Sequence, residues 1–244
     1  MIGINQIIFG EYQYTKKTYD DWGLLMIRRK IGKPPIRKNT ISVPYRDGVL
    51  DYSEFYDRVY YDNRLLEFDF KVINTDKFYE IYTKIADYLH GKKMKITIPE
   101  DRSYYYYGRC EISDLDISKA LGKITITVDA EPFKYSYASS TDDILWDSVY
   151  FPTTRFRQLG TITVEDKTHV TIPYGYHPIV PIFNVTQKTT DSFTVQQTNP
   201  LGTLCSLKRG RNRFPDIEVC GSTDVQLRFR GSGVLTIDYR EQRI

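Results

Sequence analysis

The sequence predicts a mainly β protein in which an N-terminal α+β domain is followed by a C-terminal all-β sandwich. Three observations predict this fold. Alternating apolar and polar residues recur along the chain, a single segment has apolar residues at helical spacing, and turn residues separate short strand-like segments throughout the second half. A chain of 244 residues can hold two domains of ordinary size. We therefore expect two domains, each with its own core.

The first half begins with predicted strands and a break. Strand-forming residues at positions 6–9 and 24–29 are followed by Gly32, Pro34 and Pro35, which end a regular element. The strand predicted at residues 64–73 has the clearest pattern, because every second residue from Leu66 to Val72 is apolar. One face of this strand should therefore be buried.

A single helix is predicted after this strand. Thr75 or Asp76 is expected to cap its start and Gly91 to end it, and His90 in its last turn is expected to have a structural role. The apolar residues at helical spacing are Phe78, Ile81, Tyr82, Ile85 and Leu89. Strands predicted at residues 94–99, 104–112 and 123–130 complete an α+β domain over residues 1–137.

The second half has a different character. Residues 138–160 begin with a polar, turn-prone stretch and show no strong periodicity, so we interpret them as a linker. Residues 161–244 then form the second predicted domain. Its short strands are predicted at residues 161–164, 169–172, 179–185, 192–196, 204–207, 216–220, 225–229 and 234–239. Strands of this length, separated by turn residues, are typical of a sandwich or a jelly roll.

The balance of charges argues against two classes of partner. The chain has 34 basic and 31 acidic residues and a net charge of +3, so no overall field would draw it to nucleic acid or to an anionic membrane. The apolar runs are too short to span a bilayer, and the N-terminus lacks a basic start followed by a long apolar segment. We expect synthesis in the cytosol, with no membrane partner and no sequence-specific nucleic-acid partner.

The residues that carry catalytic or metal chemistry form no known motif. The three histidines and three cysteines lack metal-ligand spacing, and no G-x-S-x-G, G-x-G-x-x-G or P-loop motif is present. We therefore expect a protein that is not an enzyme, with no catalytic, metal-binding or cofactor-binding residue. Cys110, Cys205 and Cys220 are expected to be free, buried thiols.

Two local concentrations of basic residues stand out against the balanced total. The segment between Trp22 and Tyr45 contains six basic residues and no acidic one, which suits a solvated edge or hairpin arm, or a contact with phosphate or an acidic partner. These six residues are Arg28, Arg29, Lys30, Lys33, Arg37 and Lys38. The second concentration, at residues 209–213, is interpreted as a solvated turn, with anion binding as the alternative.

Tyrosine is the unusually frequent residue, with 21 copies. Its flat, amphipathic side chain is enriched both at protein interfaces and in strands. In the second domain, Tyr174 and Tyr176 could also stack against a sugar. A carbohydrate-binding sandwich that recognises a host surface is therefore the alternative to an assembly function.

An ordered series of motifs links residues 43–135. A Val-Pro-Tyr-Arg-Asp-Gly turn at residues 43–48 precedes a segment at residues 58–72, and the helix that follows ends in Tyr88-Leu89. A strand at residues 94–99, a tyrosine-rich strand at residues 104–109 and a Glu-Pro-Phe-Lys-Tyr segment at residues 131–135 complete the series. In this order the motifs resemble the N-terminal domain of the distal tail proteins of siphophages, the Dit family. The family's turn motif falls here on Val43, Pro44, Arg46, Asp47 and Gly48, and Tyr45 stands where the family usually has glycine.

The resemblance implies a structural virion protein at the tail tip. The first domain would be a belt, six copies of which close into a ring that leaves a central channel for DNA, and such rings could stack. The second domain would be a galectin-like sandwich that serves as a docking surface. The implied partners are the tail tube protein, the tail-associated hub protein, and receptor-binding or other baseplate proteins, with assembly in the cytoplasm of the bacterial host. We expect the six basic residues to face an acidic neighbour or the ring exterior rather than the channel.

Overall fold

A computed structural model describes residues 6–10, 14–55, 58–113, 122–137, 159–221 and 223–244. The chain divides into two compact units, Met1–Lys134 with Ile244, and Tyr135–Arg243. The predicted mainly β fold is confirmed, because antiparallel sheets dominate both units. Most of the predicted linker at residues 138–160 lies outside the described residues. Leu159, near its end, is buried in the core of the second unit.

Seven antiparallel strands form the sheet of the first unit, in the order β2-β1-β7-β8-β9-β6-β3. The nine strands described up to Ala130 are β1 (Ile8–Phe9), β2 (Lys16–Lys17), β3 (Leu24–Ile31), β4 (Thr40–Ser42), β5 (Val49–Asp51), β6 (Arg64–Val72), β7 (Lys93–Thr97), β8 (Tyr104–Ile112) and β9 (Lys123–Ala130). β4 and β5 pair only with each other in the described part of the chain. They stand apart from the main sheet.

The core of the first unit follows the alternation of β6. Leu66, Phe68, Phe70 and Val72 are all fully buried, as predicted for one face of this strand. β8 and β9 approach each other closely at Gly108, where an added Cβ would lie 2.6 Å from the Cα of Ala130. Glycine is therefore needed at this position for the two strands to pair without distortion.

The helix α1 (Phe78–Leu89) lies where the sequence predicts it, and Ile85 and Leu89 are buried in the core. The predicted cap is wrong, because Thr75 and Asp76 lie in a preceding 3-10 turn and make no side-chain cap bond to it. The helix itself starts after Lys77, which also makes no such bond. These short polar residues favour both helix caps and tight turns, so the sequence pattern alone cannot separate the two.

The end of the helix agrees with the sequence. Gly91 follows it with a φ of 74°, in the left-handed region that ends helices, and its backbone N–H donates to the carbonyl of Cys110. His90 has the structural role predicted for it. Its Nδ1 accepts a hydrogen bond of 3.3 Å from the backbone N–H of Ile112, which ties the helix end to β8.

Two four-stranded antiparallel sheets form the second unit, in the orders β11-β18-β13-β16 and β12-β17-β14-β15. Their rings meet in one core, where Phe183 of one sheet contacts Phe229 of the other with ring centroids 6.2 Å apart. The strands from Lys134 onwards are β10 (Lys134–Ser136), β11 (Ile162–Val164), β12 (Lys167–Ile172), β13 (Ile182–Lys188), β14 (Thr194–Asn199), β15 (Leu201–Ser206), β16 (Gly210–Arg213), β17 (Val225–Arg230), β18 (Gly233–Asp238) and β19 (Gln242–Arg243). The predicted sandwich is thus observed.

Two predictions in the second unit are wrong. Residues 216–220 form no strand and make a single isolated bridge, between Ile179 and Val219. Their alternating pattern arises because Ile217 and Val219 are both buried in the core. Conversely, the segment predicted as a turn at residues 209–213 contains the strand β16, which pairs with β13. Its exposed charged residues gave no period-two apolar signal.

Candidate functional site

Residues 32–63 extend the paired strands β3 and β6 beyond the sheet, and we call this extension the arm. Its base continues their antiparallel ladder through a bridge between Ile36 and Tyr61, and β4 and β5 form a hairpin near its tip. None of the described residues between 35 and 63 is buried. The arm is therefore ordered by backbone pairing and not by a core of its own.

A buried arginine holds the base of the arm. Arg64 is 3% exposed, and its Nε–H donates to the carbonyl of Gly32 over 2.7 Å. Its guanidinium carbon lies 5.1 Å from the centroid of the Tyr106 ring, and burial lowers its pKa. An exposed ion pair of 2.7 Å between Arg37 and Asp62 joins the two strands of the arm further out. Arg64 thus fixes the point where the chain leaves and re-enters the sheet.

The turn motif Val43, Pro44, Arg46, Asp47 and Gly48 forms the tip of the arm between β4 and β5. The backbone N–H of Arg46 donates to the carbonyl of Val43, and both Tyr45 and Gly48 have positive φ angles, 62° and 76°. Tyr45 is fully exposed. A positive φ favours glycine. The backbone of Tyr45 therefore adopts a conformation that is unfavourable for a residue with a side chain.

The outer part of the arm has one apolar face and one mainly polar face. Because Ile41 pairs with Leu50 and side chains alternate along a strand, Ile41, Leu50 and Tyr52 share a face with the partly exposed Val43. The opposite face carries Thr40, Ser42, Val49 and Asp51. Ile41 is 52% exposed and Tyr52 is 40% exposed. The apolar face is thus open to solvent in the described part of the chain.

The sequence analysis identified the turn but missed this apolar face. The signal was present in the sequence, since apolar residues alternate on both sides of the turn at Ile41, Val43, Leu50 and Tyr52. Alternation over so few residues predicts a short hairpin without showing whether its apolar side is covered. Only the three-dimensional structure around the arm shows that the apolar side of the hairpin is uncovered by the described residues.

The six basic residues of the N-terminal segment do not form one surface. Arg28, Arg29 and Lys30 lie on β3, whereas Lys33, Arg37 and Lys38 lie in the arm. Acidic residues of the same unit neutralise several of these charges. Arg29 contacts Glu100 at 2.7 Å, and this hydrogen bond lowers the pKa of Glu100. Lys30 contacts Glu67 at 3.5 Å. The segment therefore presents less free positive charge than its sequence indicates.

The two sugar-stacking candidates are neighbours but do not make a flat platform. The rings of Tyr174 and Tyr176 meet edge to face, with centroids 6.1 Å apart and an interplanar angle of 74°. The guanidinium of Arg243 lies 5.0 Å from the centroid of the Tyr176 ring, over one of its faces. A sugar would therefore have to compete with Arg243 for that face.

Two of the three cysteines do not have the properties of nucleophiles. Cys110 and Cys205 are free, buried thiols, as predicted. Burial raises the pKa of Cys110 to about 12 and also raises that of Cys205, which disfavours the reactive thiolate in both. Cys220 corrects the sequence-based expectation, since it is exposed. Among the described residues, no group of His, Cys, Asp and Glu could hold a metal ion.

Comparisons with known proteins identify a solved structure with a similar fold. No protein-family model and no curated protein matches the chain. A solved structure, the Dit protein of phage SPP1, superposes with a TM-score of 0.63 at 14% sequence identity, covering 98% of this chain and 99% of that one. That protein is described as a paradigm of the hub adsorption apparatus in phages that infect Gram-positive bacteria. The two chains share a fold along their whole length. No helix in the described part of this chain is long and apolar enough to cross a membrane.

Proposed function

We propose that this chain is a structural virion protein of a phage tail, a distal tail protein that joins the tail tube to the baseplate or tail tip. Six copies would close into a ring with a central channel for DNA, and the protein would have no catalytic role. The fold shared with the SPP1 Dit protein over nearly the whole chain supports this placement. The observation that carries self-assembly is the uncovered apolar face of the arm.

An isolated two-stranded hairpin is marginally stable in water, and an apolar face on such a hairpin is stabilised when a partner covers it. In the arm, this face is formed by Ile41, Val43, Leu50 and Tyr52. Closed rings are built from heterologous contacts, in which one patch of a subunit meets a different patch of the next. An arm that extends from the sheet and docks on the neighbouring copy satisfies that geometry.

The outer strand β3 offers a second element for the same contact. It ends the described seven-stranded sheet and exposes Leu25 and Ile27. A long outer strand with apolar side chains tends to pair with another chain, and proteins that stay monomeric usually protect such edges. We infer that β3 and the arm, which are consecutive in the chain, contribute to one interface.

The basic residues are proposed to face an acidic neighbour or the ring exterior rather than the channel. A channel wall that binds DNA tightly would hinder DNA passage, since phosphate contacts dominate such binding. The ion pairs of Arg29, Lys30 and Arg37 within the unit support this proposal by reducing their free charge. A ring structure with Arg28, Arg29, Lys30, Lys33, Arg37 and Lys38 all on the channel wall would refute it.

The second unit is proposed as the docking surface for other tail-tip proteins. Besides its own copies, the protein would contact the tail tube protein, the tail-associated hub protein and receptor-binding or other baseplate proteins. It would reside at the tail tip of the virion after assembly in the host cytoplasm. The edge-to-face geometry of Tyr174 and Tyr176, with Arg243 over one ring, gives no support to carbohydrate binding as a second function.

The test compares two faces of the arm. Ile41→Ser with Tyr52→Ser removes the apolar face, whereas Val49→Ser changes an equally exposed apolar residue on the opposite face. Purified full chains would be examined by negative-stain electron microscopy and by light scattering over a concentration series. We expect rings for the parent chain and for the Val49 variant, and monomers for the double variant.

Two results would contradict the proposal. Rings that persist in the double variant would show that the arm does not form the contact. A parent chain that remains monomeric at every concentration, and also when added to purified tail tubes, would refute ring formation. Circular dichroism of all three chains checks that the sheet is intact, which is expected because the substituted residues lie outside the core.

A further inference from the structure

We infer that the outer face of the sheet β12-β17-β14-β15 is a docking surface for an acidic segment of a partner protein. Four basic side chains form a two-by-two array on this face, which we call the cationic face. β12 contributes Lys167 and His169, and β17 contributes Arg230 and Arg228. This inference concerns the second unit alone and does not depend on ring formation.

The register of the two strands places basic groups directly opposite each other. Lys167 pairs with Arg230, and His169 pairs with Arg228. These side chains point away from the core, because the residues that alternate with them on β17, Leu227 and Phe229, are fully buried. Lys167 and Arg230 are both positively charged, and positive charges directly opposite on neighbouring strands destabilise a sheet. This repulsion raises the free energy of the folded chain, and an anionic partner bound to the face would reduce it.

The rest of this face supplies no compensating acid. Each of its outward strand positions outside the array is neutral: Thr171, Gln226, Thr194, Gln196, Leu204 and Ser206. Among the described residues of this sheet and its flanking turns, carboxylates occur only in the turns, at Glu165, Asp166, Asp191 and Asp224. Asp224 is engaged elsewhere, since it accepts the backbone N–H of Tyr174. No described carboxylate lies within ion-pair distance of Lys167, Arg228 or Arg230.

One member of the array is held in place by its neighbours. Arg228 donates from Nη2 to the side-chain oxygen of Gln196 over 2.6 Å, and Gln196 in turn donates to the carbonyl of Gly202 over 2.9 Å. This chain of bonds crosses from β17 over β14 to β15. The Nε–H of Arg228 is buried without an acceptor in the described part of the chain. The guanidinium is thus oriented, but its hydrogen-bonding capacity is incompletely used.

The protection of sheet edges does not account for this array. Basic residues on an outer strand discourage pairing with other chains, which explains exposed charges such as Arg211 and Arg213 on the outer strand β16. Lys167 and His169 also lie on an outer strand. Arg228 and Arg230 do not, because β17 is flanked by β12 on one side and β14 on the other.

The spacing of the array indicates the kind of partner. Opposite residues on paired strands are about 5 Å apart, and residues two positions apart along a strand are separated by about 7 Å. A row of carboxylates on an extended acidic segment matches this spacing, and arginine binds carboxylates in a planar, two-pronged geometry. The face is also broad and belongs to a regular sheet, whereas sites for small ligands are usually concave. We therefore commit to an acidic protein segment.

The experiment measures binding of a fluorescent octaglutamate peptide to the full chain by anisotropy at low ionic strength. The test variant is Lys167→Gln with Arg230→Gln. The matched control is Arg211→Gln with Arg213→Gln, which removes the same charge from the other sheet of the same unit, where the residues face neutral Asn184 and Ile182. We expect the test variant to weaken binding about tenfold, as the loss of two exposed ion pairs allows, and the control to leave it nearly unchanged.

Thermal melting gives a second, independent readout. Because the substitution of Lys167 and Arg230 removes like-charge repulsion, the test variant should melt at or above the temperature of the parent chain. Three outcomes overturn the inference: no binding of octaglutamate by the parent chain, equal weakening in the test and control variants, or tighter binding of polyphosphate than of octaglutamate. The last outcome would assign the face to a phosphate-bearing ligand instead. None of these results bears on whether the chain forms rings.

Discussion

The arm of the first unit and the cationic face of the second unit expose opposite kinds of chemistry. The arm presents Ile41 and Tyr52 on a hairpin that lacks a core of its own. The cationic face presents Lys167, Arg228 and Arg230 on a sheet whose inner side is fully packed. An apolar face gains free energy when it is permanently covered, whereas charged faces mainly set partner choice and association rate. The difference indicates a lasting contact for the arm and a selective one for the cationic face.

The two units have separate cores, so each should be stabilised independently of the other. Paired core substitutions test this independence and have the largest expected effect on stability. Phe68→Ala removes a ring that contacts Phe9 in the first core, and Phe229→Ala removes one that contacts Phe183 and Phe193 in the second. Each should destabilise its own unit by about 3–5 kcal/mol. Differential scanning calorimetry should show one transition shifted in each variant. A single transition that shifts equally in both variants would show that the two units unfold together.

The anchoring of the arm gives the next largest effect. Arg64→Lys keeps the charge but removes the Nε–H that donates to the carbonyl of Gly32, so the buried side chain of residue 64 loses this hydrogen bond to the arm. We expect a loss of about 1–3 kcal/mol and faster cleavage of the arm in limited proteolysis. Arg37→Lys is the matched control, because its ion pair with Asp62 is exposed. If both variants are cleaved at the same rate, the buried arginine does not hold the arm.

Alkaline pH should affect the first core through Cys110. The folded-state pKa of this thiol is raised from 9.0 to about 12 by burial. Its contribution to stability is therefore fully present below pH 9 and is lost as the pH rises from 9 towards 12. Over this range, the Cys110 thiol can change the free energy of unfolding by at most about 1.4 kcal/mol per pH unit. Urea unfolding at several pH values should show a shallower dependence for Cys110→Ala than for the parent chain.

The control for the pH experiment is Ile126→Val, which removes buried volume from the same core as Cys110 but no titratable group. It should lower the free energy of unfolding and leave its pH dependence unchanged. If the free energy of unfolding depends equally on pH in the parent chain and in Cys110→Ala, the buried thiol does not contribute to that dependence. The other groups that titrate in this pH range are present in all three chains, so their contributions to the pH dependence cancel when the chains are compared.

Regular alternation explains why much of the fold was predictable. The period-two pattern of β6 and the helical spacing of α1 each describe an element with one buried side, and both elements lie where the sequence predicts them. The pattern misled at residues 216–220, where Ile217 and Val219 are buried without a ladder. The pattern did not predict β16, because the exposed arginines of this strand produce no alternation of apolar and polar residues. Periodicity reports burial, and strand pairing follows from it only when a neighbouring strand is present.

By itself, the sequence determined the mainly β fold and the helix at residues 78–89, because each depends on local spacing and on backbone preference. The tertiary structure alone decided which apolar residues stay uncovered on the arm and which basic residues face one another across β12 and β17. Lys167 and Arg230 are far apart in the chain, and their repulsion exists only once the strands pair in this register. Surfaces are made by pairing between distant segments, so they cannot be read from local patterns.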